Sequence, residues 1–349
     1  MTDVSFTPEF WHAGVDTEVL RHLLLTDDTA LVDRLRSAAR EVAVARFGRR
    51  VFVRGLVEIS NVCRNDCFYC GIRRSNTRVE RYTLSADQVL AACARGYELG
   101  FRTFVLQGGE WGAERDKWIA DTVARIRNRY PDCAITLSLG EHSREAYAAF
   151  RQAGADRYLL RHETRNPDHY RSLHPDSLSL DHRLQCLCWL KELGYQVGTG
   201  MMVGSPGQTV DHLVEDLLFL RDFRPHMVGI GPFVPHHETP LAGSPAGSVD
   251  LTTRIYAIVR LMLPDALIPS TTALATISPN GRLQGLLAGA NVVMPNLSPT
   301  DRRDQYALYD GKANSGAEAA EGIAALKAEL DTIGYTIDWS RGDYQSSKL

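Results

Sequence analysis

Three cysteines lie close together in one short stretch of this chain. Cys63, Cys67 and Cys70 follow one another in a C-x3-C-x2-C spacing. Three thiolates on one loop can hold three corners of an iron–sulfur cube, because cysteine is the usual ligand of such clusters. The next cysteine, Cys93, falls in a helical pattern, so one iron would keep an open position where a small molecule can bind. The alternatives are a structural zinc site and three unrelated thiols, but zinc sites usually need a fourth Cys or His.

The elements around this loop are expected to form a barrel. The apolar run at residues 51–59 predicts a buried strand that ends just before the cysteine loop. Strand and helix patterns alternate from there onward, and parallel sheets built in this way keep their chemistry at the carboxyl ends of the strands. We therefore predict an α/β protein with a complete (β/α)8 TIM-type barrel; an open doubly wound sheet is the alternative. The predicted strands span residues 51–59, 103–107, 134–139, 157–161, 196–202, 227–231, 268–272 and 291–294. The predicted helices between them include residues 86–99, 117–129, 143–153, 181–193, 210–219 and 252–263.

The chain has 349 residues, which fits one barrel with helical additions. We predict an N-terminal helical cap over residues 1–50, on the amino-terminal side of the barrel, and the barrel itself over residues 51–312. Residues 313–349 are expected to contain a helix over residues 315–330 and a polar, loose tail.

Composition argues against several classes of function. The net charge is −3, so no overall basic field indicates binding to nucleic acid or to a membrane. No apolar run reaches the length of a membrane span, and the N-terminus lacks a signal-peptide pattern. Seven cysteines without such a signal indicate a reducing compartment, so we expect a cytoplasmic protein. Four cysteines are interpreted as buried free thiols: Cys93, Cys133, Cys186 and Cys188.

Polar residues follow the second and third predicted strands. Residues 107–110 read Gln-Gly-Gly-Glu, and paired glycines allow a ligand to approach the backbone, whose carbonyls could accept hydrogen bonds from an ammonium group. A simple turn is the alternative. On the third strand, Thr136 and Ser138 share one face, where they would meet either a ligand or neighbouring strands.

Charged residues occupy alternate positions at the fourth predicted strand, so their side chains would point to the same face. Arg157, Arg161 and Glu163 would all point inward, and Arg183 could reach the same region from the following helix. Charges in a core need a ligand or each other, and an arginine fork suits a carboxylate. Mutual salt bridges without a ligand are the alternative.

Later strand ends carry small and hydroxyl residues. Gly229 and Gly231 would leave room for a flat ring against the backbone, and Ser270–Ala273 could hold an anion. His236 and His237 could be metal ligands, but loop histidines are more often hydrogen-bonded scaffold, so no role is assigned to them.

These residues together resemble the radical S-adenosylmethionine (SAM) maturases of FeFe-hydrogenase, the HydE type, within the biotin synthase-like group. The cysteine spacing, with Tyr69 just before the last cysteine, is the signature of the radical SAM superfamily. The resemblance runs from about residue 17 to about residue 312. The phrases that carry it begin at Ile59 (Ile-Ser-Asn-Val-Cys-Arg), Val105 (Val-Leu-Gln-Gly-Gly-Glu), Ala155 (Ala-Asp-Arg-Tyr-Leu-Leu-Arg-His-Glu-Thr), Val228 (Val-Gly-Ile-Gly-Pro-Phe) and Val293 (Val-Met-Pro-Asn).

The resemblance implies specific roles for residues of this chain. Cys63, Cys67 and Cys70 would hold a 4Fe–4S cluster, and SAM would chelate its open iron through the amino and carboxylate groups. The residues implied to contact SAM are Tyr69, Gln107, Gly108, Gly109, Glu110, Ser138, Glu163, Arg183 and Ile230. The residues implied to form the substrate and anion pocket are Arg157, Thr271, Thr272 and Ala273.

The resemblance also implies an activity. One electron from a low-potential donor such as flavodoxin or ferredoxin would cleave SAM to methionine and a 5′-deoxyadenosyl radical. The radical would act on a small iron–carbonyl–cyanide precursor of the hydrogenase cluster, with other maturases as possible partners. Many members bind a second cluster after the barrel, but residues 311–319 contain no cysteine, so we expect one cluster. The alternatives are a mutase acting on an amino acid, as in methylornithine synthase, a HydE-like enzyme with another small-molecule substrate, and a non-catalytic cluster carrier.

Overall fold

The protein is described by a computed structural model that covers residues 5–7, 10–11, 14–313 and 316–346. The α-helices are α1 Thr17–Leu25, α2 Thr29–Phe47, α3 Ala86–Glu98, α4 Asp116–Arg129, α5 Arg144–Ala153, α6 Pro167–Leu173, α7 Leu180–Glu192, α8 Val210–Phe223, α9 Val249–Met262, α10 Thr272–Ile277, α11 Gly281–Leu287 and α12 Ile323–Thr332. The strands are β1 Arg50–Val53, β2 Gly55–Ser60, β3 Thr103–Gly108, β4 Ala134–Ser138, β5 Arg157–Leu159, β6 Gln196–Thr199, β7 Met202–Val203, β8 Met227–Val228, β9 Gly231–Pro232, β10 Val292–Val293 and β11 Thr336–Asp338.

Strands β2, β3, β4, β5, β6 and β8 form a six-stranded parallel sheet in that order. Beyond β8, isolated parallel bridges join Met227 to Leu267 and Pro269 to Val292, so the seventh predicted strand is represented by bridges. Strand β10 pairs with β1, and a parallel bridge joins Leu56 to Asn296. The alternation of strands and helices predicted from the sequence is confirmed over this sheet.

One row of directly opposite residues, running across the strands of the sheet, faces the surrounding helices. Val57, Leu106, Leu137, Tyr158 and Val197 are successive partners across five strands, and all lie buried in the main hydrophobic core. Because side chains alternate along a strand, the rows on either side of it face the interior of the curved sheet. The polar side chains singled out from the sequence belong to those inward rows.

Hydroxyl residues fix where the helices around the sheet begin. Ser85, Ser143, Ser179, Thr209 and Ser248 are the N-caps of α3, α5, α7, α8 and α9, and each side chain accepts a hydrogen bond from a backbone N–H of the first turn. Such caps stabilise a helix by about 1 kcal/mol each. They also set the length of the loops that leave the carboxyl ends of the strands.

The described part of the C-terminal tail, up to residue 346, packs against the sheet, so the prediction of a loose tail was wrong for these residues. Strand β11 pairs in parallel with β1, and the ring of Trp339 packs edge-on against Phe101, with centroids 5.6 Å apart. Arg46 donates to the carbonyl of Gln345. Apolar and hydrogen-bonded contacts at each step hold this polar segment in place.

Two other predictions needed correction. The helix predicted over residues 315–330 begins at residue 315, which lies outside the described residues. The remainder forms two short 3₁₀ turns, Gly316–Glu318 and Ala320–Gly322, followed by α12. Cys188 was predicted to be buried but is exposed, whereas Cys93, Cys133 and Cys186 are buried as expected.

Helices α1 and α2 pack against the side of the barrel-like body. Helix α1 contacts α8 and α9, and α2 contacts α9 and α11. Across the described part of the chain, none of the helices combines the length and the apolar character needed to cross a membrane.

Candidate functional site

A single arginine shapes the cysteine loop. The Arg81 guanidinium donates four hydrogen bonds to backbone carbonyls of Asn61, Ile72, Arg73 and Asn76, at 2.6 to 3.0 Å. These carbonyls come from both ends of the stretch that contains the three cysteines. Charge-assisted bonds are stronger than neutral ones, so this one side chain holds the loop closed. Arg81 was not predicted from the sequence, because nothing in its local pattern distinguishes it from a surface arginine.

The three thiols of the loop are half-buried. Burial raises the pKa of Cys63 and Cys67 and raises the pKa of Cys70 to about 12. A thiolate is the form that binds metal, and a bound cation offsets the effect of burial by stabilising that charge. Three half-buried thiols on one shaped loop therefore fit a cluster that takes three cysteine ligands, as the sequence predicted.

Glycine is required where the loop after β3 passes the cysteine loop. A Cβ atom at Gly109 would lie 2.2 Å from the carbonyl oxygen of Val62 and 2.8 Å from the Cβ of Cys63. The first distance is a collision with backbone, which cannot turn aside as a flexible side chain can. The two loops are thus packed backbone against backbone next to the first cysteine.

Glu110 ties the same two loops together. Its carboxylate accepts from Arg64 Nε at 2.9 Å and from the backbone N–H of Glu141 at 2.7 Å, and its carbonyl accepts from the Arg64 N–H at 2.8 Å. The side chain of Glu110 is buried and already partnered. A SAM contact at residues 107–110 would therefore depend on backbone carbonyls, as the sequence suggested for this turn.

Arg183 is buried at the carboxyl end of the sheet, where it forms an ion pair with Glu141. It also donates from Nη1 to the carbonyl of Arg161 at 2.7 Å. Burial alone would lower the pKa of Arg183, but the neighbouring Tyr170 hydroxyl and Glu141 carboxylate raise it well above its ordinary value. Sequence reasoning missed Glu141 as a partner; the signal available was a carboxylate directly after the glycine that ends the third predicted strand.

Arg161 and Glu163 form a two-pronged ion pair on the loop after β5. Arg161 Nε donates to Glu163 Oε1 at 3.0 Å, and Nη2 lies 2.9 Å from Oε2. The mutual salt bridge considered from the sequence is therefore present between these two residues. Both lie beside Arg183, so four charges meet here: two arginines and the carboxylates of Glu141 and Glu163.

The inward rows bring further polar residues to this end of the sheet. Gln107 and Ser138 are register partners on β3 and β4, and Glu58 is the partner of Gln107 on β2. Gln107 Nε2 donates to the Tyr306 hydroxyl at 3.3 Å, and Lys312 forms an ion pair with the fully buried Glu58. Tyr306 and Lys312, which follow β10 in the chain, thus contribute side chains to the interior. Sequence reasoning missed Glu58 and Lys312 because their pairing joins distant parts of the chain.

Two more of the predicted SAM contacts are held by their own neighbours. The Tyr69 hydroxyl lies 3.2 Å from His174 Nε2, and burial raises the pKa of Tyr69 well above its ordinary value. Ile230 is fully buried, and its carbonyl accepts from the Tyr256 hydroxyl at 2.8 Å. Both positions are therefore fixed before any ligand binds.

The predicted substrate residues after the seventh strand lie together. Thr272 Oγ1 donates to Glu318 at 2.9 Å. The hydroxyl of Thr271 is buried and has no hydrogen-bond partner among the described residues. Ala273 lies 3.8 Å from where a Cβ of Gly231 would be. A buried hydroxyl without a partner is costly, so Thr271 is suited to meet a ligand.

The structure does not bring Arg157 to this group. Arg157 begins β5 at the opposite, amino end of the sheet, and it is fully buried. Its guanidinium donates to Asp343 at 2.6 Å, to the carbonyl of Arg341 at 2.8 Å and to Thr103 at 3.3 Å. Residue parity correctly placed Arg157 on the inward face but did not indicate how deep it lies, so its assignment to the pocket with Thr271 is corrected.

His236 and His237 are stacked loop residues, and each is hydrogen-bonded to another part of the chain. His237 Nδ1 lies 2.6 Å from Asp310, and the rings stack with centroids 4.6 Å apart. His236 Nδ1 accepts from the backbone N–H of Glu238 at 3.1 Å. A neutral His236 then carries its proton on Nε2, the nitrogen nearer Asp310, which opposes metal binding there. The scaffold interpretation made from the sequence fits this geometry.

Comparison with known proteins gives consistent relationships. The family model of the radical SAM superfamily matches residues 57–220 of this chain. The chain is 47% identical over 295 residues to the FeFe hydrogenase maturase subunit HydE of Thermotoga maritima, covering 84% of this chain and 84% of that protein. It is 30% identical over 293 residues to the 3-methylornithine synthase of Methanosarcina barkeri, covering 83% of this chain and 82% of that protein.

A solved structure of a related protein has the same architecture. The crystal structure of methylornithine synthase superposes with a TM-score of 0.83 at 27% identity, over 96% of this chain and 97% of that chain. Similarity over almost the whole length indicates that the two proteins share one overall architecture.

Proposed function

Because the chain belongs to the family of the FeFe hydrogenase maturase subunit HydE and is a radical SAM enzyme, we propose that it acts in maturation of the hydrogenase diiron cluster. Its substrate would be a small iron–carbonyl–cyanide precursor. The observation that carries this proposal is the 47% identity across 84% of both chains. The charged group at the carboxyl end of the sheet, next to the cysteine loop, supports it physically.

Each set of residues has a role under this proposal. Cys63, Cys67 and Cys70 would hold a single 4Fe–4S cluster, which supplies the electron that cleaves SAM. Arg183 would orient the SAM carboxylate by a bidentate contact, while Glu163 would accept from the SAM ammonium. The buried surroundings would exclude water from the radical.

The remaining predicted contacts divide between SAM and substrate. Backbone groups at residues 107–110 would receive the ammonium together with Glu163, and Ser138 and Ile230 would contact the ribose and adenine. Thr271, Thr272 and Ala273 would contact the substrate. A donor such as flavodoxin or ferredoxin would deliver the electron, and other hydrogenase maturases would be partners in a cytoplasmic pathway.

We also propose that the sheet closes into a complete eight-unit barrel around this site. The support is the run of parallel bridges from Met227 to Leu267 and from Pro269 to Val292, with β10 paired to β1. A closed sheet removes exposed edges and encloses the reacting groups.

A second candidate is a mutase acting on a free amino acid. Two observations favour keeping it: the 30% identity to 3-methylornithine synthase and the TM-score of 0.83 to methylornithine synthase. Both candidates use the same SAM end of the site, so they differ at the Thr271 side.

Product analysis of the reconstituted protein separates these candidates. The protein is loaded anaerobically with iron and sulfide, reduced, and supplied with SAM and either the iron–carbonyl–cyanide precursor or amino acids. We expect 5′-deoxyadenosine to rise several-fold with the precursor, and the product to support activation of apo-hydrogenase by the other maturases. A rise with an amino acid instead, with a rearranged product, would favour the mutase. SAM cleavage with neither would contradict both substrate assignments.

A further inference from the structure

Glu163 has a backbone conformation that side chains rarely adopt. Its φ is +65°, and the N–H of Thr164 donates to the carbonyl of His162 at 2.8 Å. A hydrogen bond across one residue with positive φ defines a γ-turn of the rare, strained kind. Such a conformation persists only where the surrounding structure holds it.

One side of this turn is tied to the next strand. The N–H of Glu163 donates to the carbonyl of Gly200 at 3.1 Å, and its carbonyl accepts from the N–H of Met202 at 3.1 Å. These bonds fix the height of the turn above the sheet. They do not fix the two flanking residues, whose backbone must reverse direction for the γ-turn to form.

One carboxylate on α8 holds the backbone on both sides of Glu163, through His162 just before it and Arg165 two residues after it. Asp216 Oδ1 lies 3.1 Å from His162 Nε2 and accepts from the N–H of Arg165 at 2.5 Å. His162 Nδ1 lies 3.0 Å from Thr199 Oγ1. An Nε2–H donor to the carboxylate and an Nδ1 acceptor from the threonine hydroxyl satisfy both contacts. Asp216 thus contacts the first residue of the turn, His162, and the residue that follows the turn, Arg165.

Burying this histidine and carboxylate lowers the stability of the folded protein unless their contacts compensate. His162 and Asp216 are both fully buried, and Asp216 Oδ2 has no hydrogen-bond partner among the described residues. Burial raises the pKa of Asp216. Packed apolar side chains often stabilise such a position as well or better, so stability alone does not account for the pair.

We propose that His162 and Asp216 are positioning residues that hold Glu163 in its strained turn, so that its carboxylate faces the SAM ammonium. The proposal rests on the proposed function in so far as Glu163 contacts SAM. The clamp presets the carboxylate before SAM arrives, and preset contacts bind more tightly because less ordering accompanies binding.

The test compares Asp216→Leu with Asp216→Asn in the reconstituted holoenzyme. We expect Asp216→Leu to weaken SAM binding by at least about tenfold, at unchanged iron content and with an unchanged cluster spectrum. Asp216→Asn should stay within about threefold of wild type, because its amide can still contact His162 and the Arg165 N–H. SAM affinity is measured by anaerobic calorimetry.

Asp156→Leu is the matched control. Asp156 accepts from a backbone N–H at 2.8 Å and from Arg127 at 2.5 Å, but it lies at the amino end of the same sheet. This variant should lose stability without losing SAM affinity. Equal losses of SAM affinity in Asp156→Leu and Asp216→Leu would overturn the positioning role.

A second measurement needs no SAM. Glycine adopts positive φ without strain, so Asp216→Leu should lower the melting temperature less in a Glu163→Gly background than in wild type. If Asp216→Leu does not fold, Thr199→Val, which loses the hydroxyl facing His162, replaces it in both measurements. Additive shifts in melting temperature would overturn the clamp. Non-additive shifts in a protein that fails to bind SAM would support the clamp and contradict the proposed function instead.

Discussion

Both ends of the parallel sheet bury an arginine beside a carboxylate, but the two pairs are built differently. At the carboxyl end, Arg183 pairs with Glu141, and both come from segments that follow the strands. At the amino end, Arg157 lies on the strand itself and pairs with Asp343 from the C-terminal tail. The first pair therefore belongs to loops that surround the cysteines. The second pair, Arg157 with Asp343, holds the C-terminal tail against the amino end of the sheet, and we call it the seal.

The two ends of the sheet differ in how many polar groups remain available to bind a ligand. Arg157 has protein partners at Nε, Nη1 and Nη2: Gln196, Thr103, and the Arg341 carbonyl together with Asp343. The carboxyl end instead gathers two arginines and two carboxylates beside half-buried thiols. It also holds the buried hydroxyl of Thr271, for which no described residue is a hydrogen-bond partner. A buried charge thus indicates a ligand site only when its own chain leaves part of its bonding capacity open.

The largest effect should come from the cysteine loop. We expect Cys63→Ala, Cys67→Ala or Cys70→Ala to abolish SAM cleavage, because the cluster would lose one of its three ligands. Cys188→Ala, at an exposed position, is the control and should retain full activity. Iron analysis of the wild type should give about four irons per chain; a reproducible value near eight would contradict a single cluster.

Arginine variants at the two ends test the comparison directly. Arg183→Ala should weaken SAM binding at least about tenfold, since losing one partner of a buried charged hydrogen bond costs about 2–5 kcal/mol. Arg157→Ala should lower the melting temperature but leave SAM affinity within about threefold, because its partners lie at the amino end of the sheet and in the tail. Calorimetry with SAM and thermal unfolding measure both quantities. Loss of SAM binding in Arg157→Ala equal to that in Arg183→Ala would show that the two ends act as one site.

The smallest effect concerns acid stability of the seal. Burial alone would raise the pKa of Asp343, but the hydrogen bond from Arg341 and the charge of Arg157 bring it below its ordinary value. A lowered folded-state pKa stabilises the protein above the unfolded-state pKa of about 3.9, and the stabilisation is lost as pH falls through the folded-state value. We expect Asp343→Asn to be less stable than wild type at pH 6 and the difference to shrink below about pH 4. Thermal unfolding of the iron-free protein measures it; a difference independent of pH would contradict the ion-pair explanation.

Local sequence patterns predicted the cysteine loop. The features that the sequence did not predict depend on contacts between residues far apart in the chain. Three ligands within eight residues carry their own geometry, and the pair of Arg161 and Glu163 is visible because both residues share one strand end. Asp343 is separated from Arg157 by 186 residues, and a polar tail has no periodic pattern that would reveal its docking. Arg81 was missed for a related reason, since its partners are backbone carbonyls that any sequence provides.

The position of β11 has a consequence for the order in which the chain folds. Strand β1 lies between β10 and β11, so its neighbours on both sides come from segments that are made long after β1 itself. Contacts between distant parts of a chain form slowly, and Arg157 has to wait for Asp343 before its charge is neutralised. The amino end can therefore close only after the segment that contains β11 and Asp343 has been made, and until then the nascent protein exposes an unfinished sheet edge that a chaperone can recognise.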